Sequence, residues 1–129
     1  MASSKPTAAE LAILRVLWIH GPSTVRAVHE ALRAEQSTGY TAGYTTVLKL
    51  LQIMRKKGRV VCDTANMAHV YRPAASEAET QADLVKDLLD GAFYGSTRAL
   101  VLRALSMQPS TPEELAEIRQ LIEELEREG

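Results

Sequence analysis

Cysteine occurs once in the 129 residues, at Cys62, and tryptophan and phenylalanine once each. A single thiol closes no intramolecular disulfide and builds no thiolate metal cluster by itself. Long apolar runs are missing too: residues 11–19 are interrupted by Arg15 and are too short to span a bilayer. No basic segment precedes that run and no clear cleavage site follows it, so no signal peptide is expected. A cytoplasmic protein without membrane insertion is the default. The glycines stand singly, with no GxGxxG or GxxxxGK loop for a nucleotide, and no Gly-x-Ser-x-Gly elbow marks a serine hydrolase. His20, His29 and His69 fall in three different elements without the HxxxH or CxxC spacing of a metal site. Glu113-Glu114 and Glu123-Glu124 read as solvated helix residues and dipole partners rather than a catalytic pair. These absences argue against an enzyme, and no catalytic residue, metal or cofactor is expected.

What is present is divided by charge. Residues 1–72 hold ten Lys/Arg against four acids, a net of +6, while residues 73–129 hold five against twelve, a net of −7. A basic half that meets a polyanion and an acidic half that stays away from it would produce this division; so would an acidic C-terminal helix alone.

Apolar spacing outlines the elements. Thr7 and Glu10 form a capping box for a helix running to about His20, with Leu11, Leu14, Leu17 and Trp18 turned inward. Gly21-Pro22 ends it, and Ser23 or Thr24 caps a second helix, from Val25 to about Ala34, with Val25, Val28 and Leu32 inward. After a polar loop over 35–39, a third helix begins within 41–44 and continues to Lys57. Val47, Leu50, Leu51 and Met54 make its buried stripe. Gly58 stops it, and two short β-rich runs, 59–63 and 69–72, follow before Pro73. Three helices and then a hairpin is the order of a winged helix-turn-helix, expected over residues 1–73.

The rest, residues 74–129, reads as three helices. Ser76 and Glu79 open the first, expected to about Asp90, with Gly91 and Gly95 bracketing a break around Phe93 and Tyr94. The second runs from Ser96 to Met107, and Thr111-Pro112-Glu113-Glu114 opens the third. Short amphipathic helices make a poor independent core. Leu84, Leu88, Phe93, Leu100, Val101, Leu105, Ile118, Leu121 and Leu125 are therefore expected to pair with a second copy, the alternative being that they fold back on the first half. The fold class is mainly α with a small β-hairpin: a winged helix and a three-helix dimerisation region.

The outer face of the third helix points to the partner. Thr45, Lys49, Gln52 and Lys56 lie opposite the buried stripe, all hydrogen-bond donors and none acidic. Thr45 and Thr46 are short enough for close approach to base edges, and their methyls suit thymine. Lys49 suits a guanine edge and Gln52 an adenine. Arg55, Lys56, Lys57 and Arg59 read as phosphate contacts that set affinity without reading sequence. His69 suits wing packing or a phosphate. Gly43 and Arg72 complete the set expected at double-stranded DNA. The rival is a winged-helix interaction module whose third helix docks on an acidic protein, and Leu48 and Ile53 on its flanks keep that reading open.

These motifs have a known counterpart. "LAILRVLW", "GPSTVRAVHEAL", "YTTVLKLLQIMRKKGRV" and "AHVYRP", followed by "LVKDLLDGAFYGSTRALVLRAL" and "TPEELAEIRQLIEEL", resemble the penicillinase repressor family, the BlaI/MecI/CopY-type regulators. The likeness runs from about Thr7 to Glu126. It implies a homodimeric winged-helix repressor on an inverted-repeat operator, with Thr45, Thr46 and Lys49 in the base-reading part of the recognition helix and wing residues 66–72 over the backbone or minor groove. Two departures stand out: Lys49 and Ile53 replace the Thr and Arg frequent in the family, and the wing tip is Ala65-Asn66-Met67-Ala68 rather than basic. In antibiotic-resistance members a membrane sensor-protease system leads to cleavage of the dimerisation region. The corresponding pair here is Arg103-Ala104, whose residues differ from the family's Asn-Phe. The paired cysteines of the copper-responsive branch have no counterpart.

Overall fold

The computed structural model describes residues 5–35, 43–65 and 67–129. The expectations for the loop over 36–39, for positions 41 and 42, and for Asn66 lie outside the described residues. The chain divides into two compact units, Met1–Leu84 and Val85–Gly129.

The first unit is built from α1 (Ala8–His20), α2 (Val25–Ala34), α3 (Tyr44–Lys56), β1 (Val60–Asp63), β2 (Val70–Pro73) and the start of α4 (Glu77–Ala92). Local chemistry sets most of these ends. Thr7 Oγ1 accepts from the Glu10 amide while the Glu10 carboxylate accepts from the Thr7 amide, a complete capping box. Thr24 rather than Ser23 caps α2. α3 ends in a Schellman motif: the Arg59 amide donates to the Met54 carbonyl at 2.8 Å and the Gly58 amide to Arg55 at 3.1 Å, with Gly58 at φ +80°.

Ser23 has another task. Its amide and carbonyl exchange hydrogen bonds with those of Tyr71 at 2.9 and 2.8 Å, an isolated antiparallel bridge that fastens the hairpin to the α1–α2 turn. In the β1–β2 ladder Val60 pairs with Pro73, Val61 with Arg72, Cys62 with Tyr71 and Asp63 with Val70. Pro73, at the end of its strand, lacks an amide hydrogen and so fits only such a position.

The core comprises Ile13, Leu14, Val16 and Leu17 from α1, Val25, Val28 and Leu32 from α2, Val47, Leu51 and Met54 from α3, and Val60 and Tyr71 from the hairpin. Two inward positions expected of α1 need correcting. Leu11 and Trp18 are only partly buried, while Ile13 and Val16 are fully so, and on α3 the expected Leu50 is likewise only partly buried. α1 is apolar on almost every side and packs against both α2 and β2, so sequence periodicity alone could not fix which side is deepest. Trp18 sits at the margin, its indole N–H donating to the Ala75 carbonyl at 3.0 Å.

The second unit contains the end of α4 with α5 (Thr97–Met107) and α6 (Pro112–Glu128). Gly91 does not interrupt α4, which continues through it to Ala92. The break falls instead at Tyr94 and Gly95, with φ of +52° and +80°. Glycine inside a helix costs only about 1 kcal/mol, so Gly91 alone does not end α4, whereas the left-handed backbone three and four residues later does not continue a helix. Ser96 caps α5, and a Thr111–Glu114 capping box with Pro112 at the first turn opens α6.

Candidate nucleic-acid interface

α3 is thirteen residues long, about 20 Å at 1.5 Å per residue. Its buried stripe of Val47, Leu51 and Met54 is locked between α2 and β1, so the opposite face is fixed toward solvent. That face carries Thr45, Lys49, Gln52 and Lys56, with Thr46 and Arg55 on its two flanks, all exposed. Among the described residues, no ion pair engages Lys49, Arg55 or Lys56. The helix starts at Gly43, exposed and extended, with no side-chain cap hydrogen bond. Its first-turn amides are therefore left without the side-chain acceptor that Thr7 and Thr24 supply to α1 and α2.

Beside α3 lies a groove between the start of α2, α3 and the wing. Thr24, Arg26, Tyr44, Leu48, Gln52, Met67 and His69 line it. Gln52 and His69, assigned to the interface on separate grounds, are thus brought to one place. Exposed Arg72 is on β2, opposite Val61 in the ladder. Arg26, not singled out in the sequence, adds a cation at the start of α2. The signal available was its position at the front of the helix preceding α3, where backbone contacts occur in helix-turn-helix proteins. His29, half-buried on α2, packs edge-on against Tyr44, ring centres 6.1 Å apart. That contact joins α2 to the first residue of α3. The wing tip is occupied by Met67, which is fully exposed.

Two of the cations expected at phosphate are placed differently. Lys57 Nζ lies 2.9 Å from Oε2 of Glu10, and Arg59 Nε lies 3.8 Å from its Oε1. Glu10 itself is 1% exposed. Burial pushes the carboxyl pKa up, but the Lys57 hydrogen bond, the Thr7 amide and the charges of Lys57 and Arg59 outweigh it, leaving it below the ordinary value. Arg59, with a side chain 15% exposed, faces inward rather than outward. Within the hairpin, burial and then neighbouring Cys62 hold the Tyr71 phenol above its usual range.

The positions expected at a dimer interface lie on α4, α5 and α6, apart from Phe93 in the turn after α4, and none of these helices has a buried residue. Leu84, Phe93, Leu100 and Ile118 are half-buried, whereas Leu88, Val101, Leu105, Leu121 and Leu125 are exposed. Arg103 and Ala104 are exposed within α5, in helical rather than extended backbone. Among the described residues no group of His, Cys, Asp and Glu is placed to hold a metal ion, and no helix is long and apolar enough to cross a membrane.

Comparison with known proteins gives this arrangement its context. The chain is 37% identical over 94 residues to the transcriptional regulator BlaI of Mycobacterium tuberculosis, in both the CDC 1551 / Oshkosh and the ATCC 25618 / H37Rv strains. The alignment covers 72% of this chain and 65% of the length of those relatives. The model of the penicillinase repressor family matches residues 6–124, almost the whole sequence, and the chain therefore belongs to the penicillinase repressor family of transcriptional regulators.

Proposed function

We propose that the protein is a homodimeric repressor that occupies an inverted-repeat operator by laying α3 of each protomer in the major groove. The observation that carries this reading is the solvent side of α3: eight exposed residues, three of them cations outside any described ion pair, and no acid. Thr45, Thr46, Lys49 and Gln52 are the base-reading residues, with Gly43 permitting close approach at the helix start. Arg55, Lys56, Arg72 and Arg26 supply phosphate contacts, and His69 lies beside the groove. The apolar positions exposed along α4 to α6 supply the dimer contact, with 1–73 acting as the DNA-binding region and 74–129 as the dimerisation region. Repression is by exclusion at the promoter, and loss of the dimer releases the DNA because one protomer alone makes too few phosphate contacts. If a sensor-protease system acts on this chain, residues 103–104 must first leave their helix.

Docking on an acidic protein is the second reading, favoured by one observation: Tyr44 and Ile53 are each nearly half exposed on the helix that carries the cations. A binding isotherm against the DNA upstream of the protein's own gene, with scrambled DNA as control, separates the two. Sequence-selective binding at two protomers per site, falling steeply with salt, is the expected outcome. Equally weak binding to both duplexes would move the protein-docking reading to first place.

A further inference from the structure

We propose that Glu10 is a positioning residue for DNA binding, which withholds Lys57 from phosphate, balances the charge of the inward-facing Arg59 and fixes the end of the recognition helix to the start of α1. The inference rests on the DNA-binding reading above. Three backbone devices converge on this carboxylate. The capping box places it on the first turn of α1 and engages Oε1 with the Thr7 amide. The Schellman motif at Gly58 turns the chain sharply between Lys57 and Arg59, so that both cations face the same carboxylate 47 and 49 positions away in sequence. The first residue of β1 follows Arg59 directly, and the Arg59 carbonyl accepts from the Ala74 amide at 2.9 Å. One buried acid thus meets the junction where α3 becomes the wing.

The pairing separates two kinds of cation within five residues. Arg55, Lys56 and Lys57 are all exposed, but Arg55 and Lys56 are outside any described ion pair, while Lys57 donates to Glu10 at 2.9 Å. Arg59 Nε is buried and has no hydrogen-bond acceptor among the described residues, so Glu10 is the charge beside it even at 3.8 Å. Each cation held this way is one fewer phosphate contact available to DNA of any sequence. Sequence-independent affinity scales with the number of phosphates neutralised, so the clamp keeps that part of the binding small while the exposed face of α3 retains its contacts.

The test is the salt dependence of binding by the full chain to a short scrambled duplex, with folding of each variant checked by circular dichroism and thermal unfolding. Glu10→Gln keeps the shape and removes the charge. Freed Lys57 should then steepen the slope of log K against log salt by about 0.9, one additional phosphate. Glu10→Gln combined with Lys57→Met should return the slope to that of the wild type, and Lys57→Met alone should leave it there. Lys56→Met, the exposed neighbour, should make it shallower by about 0.9. A Lys57→Met slope as shallow as that of Lys56→Met would overturn the proposal, since Lys57 would then touch phosphate in the native protein; this arm decides even if Glu10→Gln does not fold. A wild-type slope retained in folded Glu10→Gln would overturn it too. Absence of any salt-dependent binding by the wild type would instead sink the DNA reading itself.

Discussion

Glu10 shows how much a single side chain can be asked to do. It closes a capping box, pairs with Lys57 and faces Arg59, all while buried. Its folded pKa lies below the ordinary 4.5, so the unfolded chain takes up this proton more readily as the medium is acidified. The stability it contributes is present above 4.5 and lost as pH falls through the folded value. Urea titrations across that interval should show stability dropping with acid in the wild type and dropping less in Glu10→Gln. Glu79, also lowered by its Ser76 contacts, contributes equally to both proteins and cancels in the comparison. Equal acid sensitivity would show that Lys57 and Arg59 stabilise the charged carboxylate no better than water does. Lys49 is the residue on which sequence reading depends in the proposed complex. Lys49→Ala should cost about 1–3 kcal/mol on the operator and relax preference at one base position. A uniform loss across all sequences in competition binding would make Lys49 a phosphate contact.

Among the elements, α3 is the one whose two ends are treated most differently. Its start has no side-chain cap, while its end is fixed by Gly58 in left-handed backbone. A Cβ at Gly58 would meet no atom within 4 Å, so Gly58→Ala isolates the backbone penalty. It should lower stability by about 1–2 kcal/mol, read from the denaturation midpoint, and a change near zero would mean that the turn re-forms with negative φ. This end was plain in the sequence, as were the capping boxes at Thr7, Ser76 and Thr111, because glycine and Thr/Ser-x-x-Glu act locally. The hairpin and the buried stripe of α3 were legible through their periodicity. The Ser23–Tyr71 bridge and the Glu10 cluster were not, since each joins residues more than forty positions apart and leaves no periodic trace. Arg59 illustrates the consequence: by composition it belongs with Arg55 and Lys56, and only the turn at Gly58 sends it inward.

At the scale of the whole molecule the two halves face different problems. The first buries a core of its own from α1, α2, α3 and the hairpin, whereas α4, α5 and α6 bury no residue. In the proposed dimer, Leu105→Glu should place an unpaired carboxylate in an apolar contact, at a cost on the order of 2 kcal/mol or more, roughly thirtyfold in the dimer Kd. Sedimentation equilibrium reads this directly, and an unchanged dimer at micromolar concentration would remove Leu105 from the interface. The +6 and −7 halves have a place in the same scheme, the acidic helices discouraging DNA from binding anywhere but along α3. The hydrogen bond from Trp18 to Ala75 has an optical consequence. Trp18 is the chain's one indole, so its emission colour and lifetime report, without subtraction, on whether the segment leading into α4 is still seated on α1. The protein carries its own fluorophore at the point where the wing hands the chain on to its C-terminal helices.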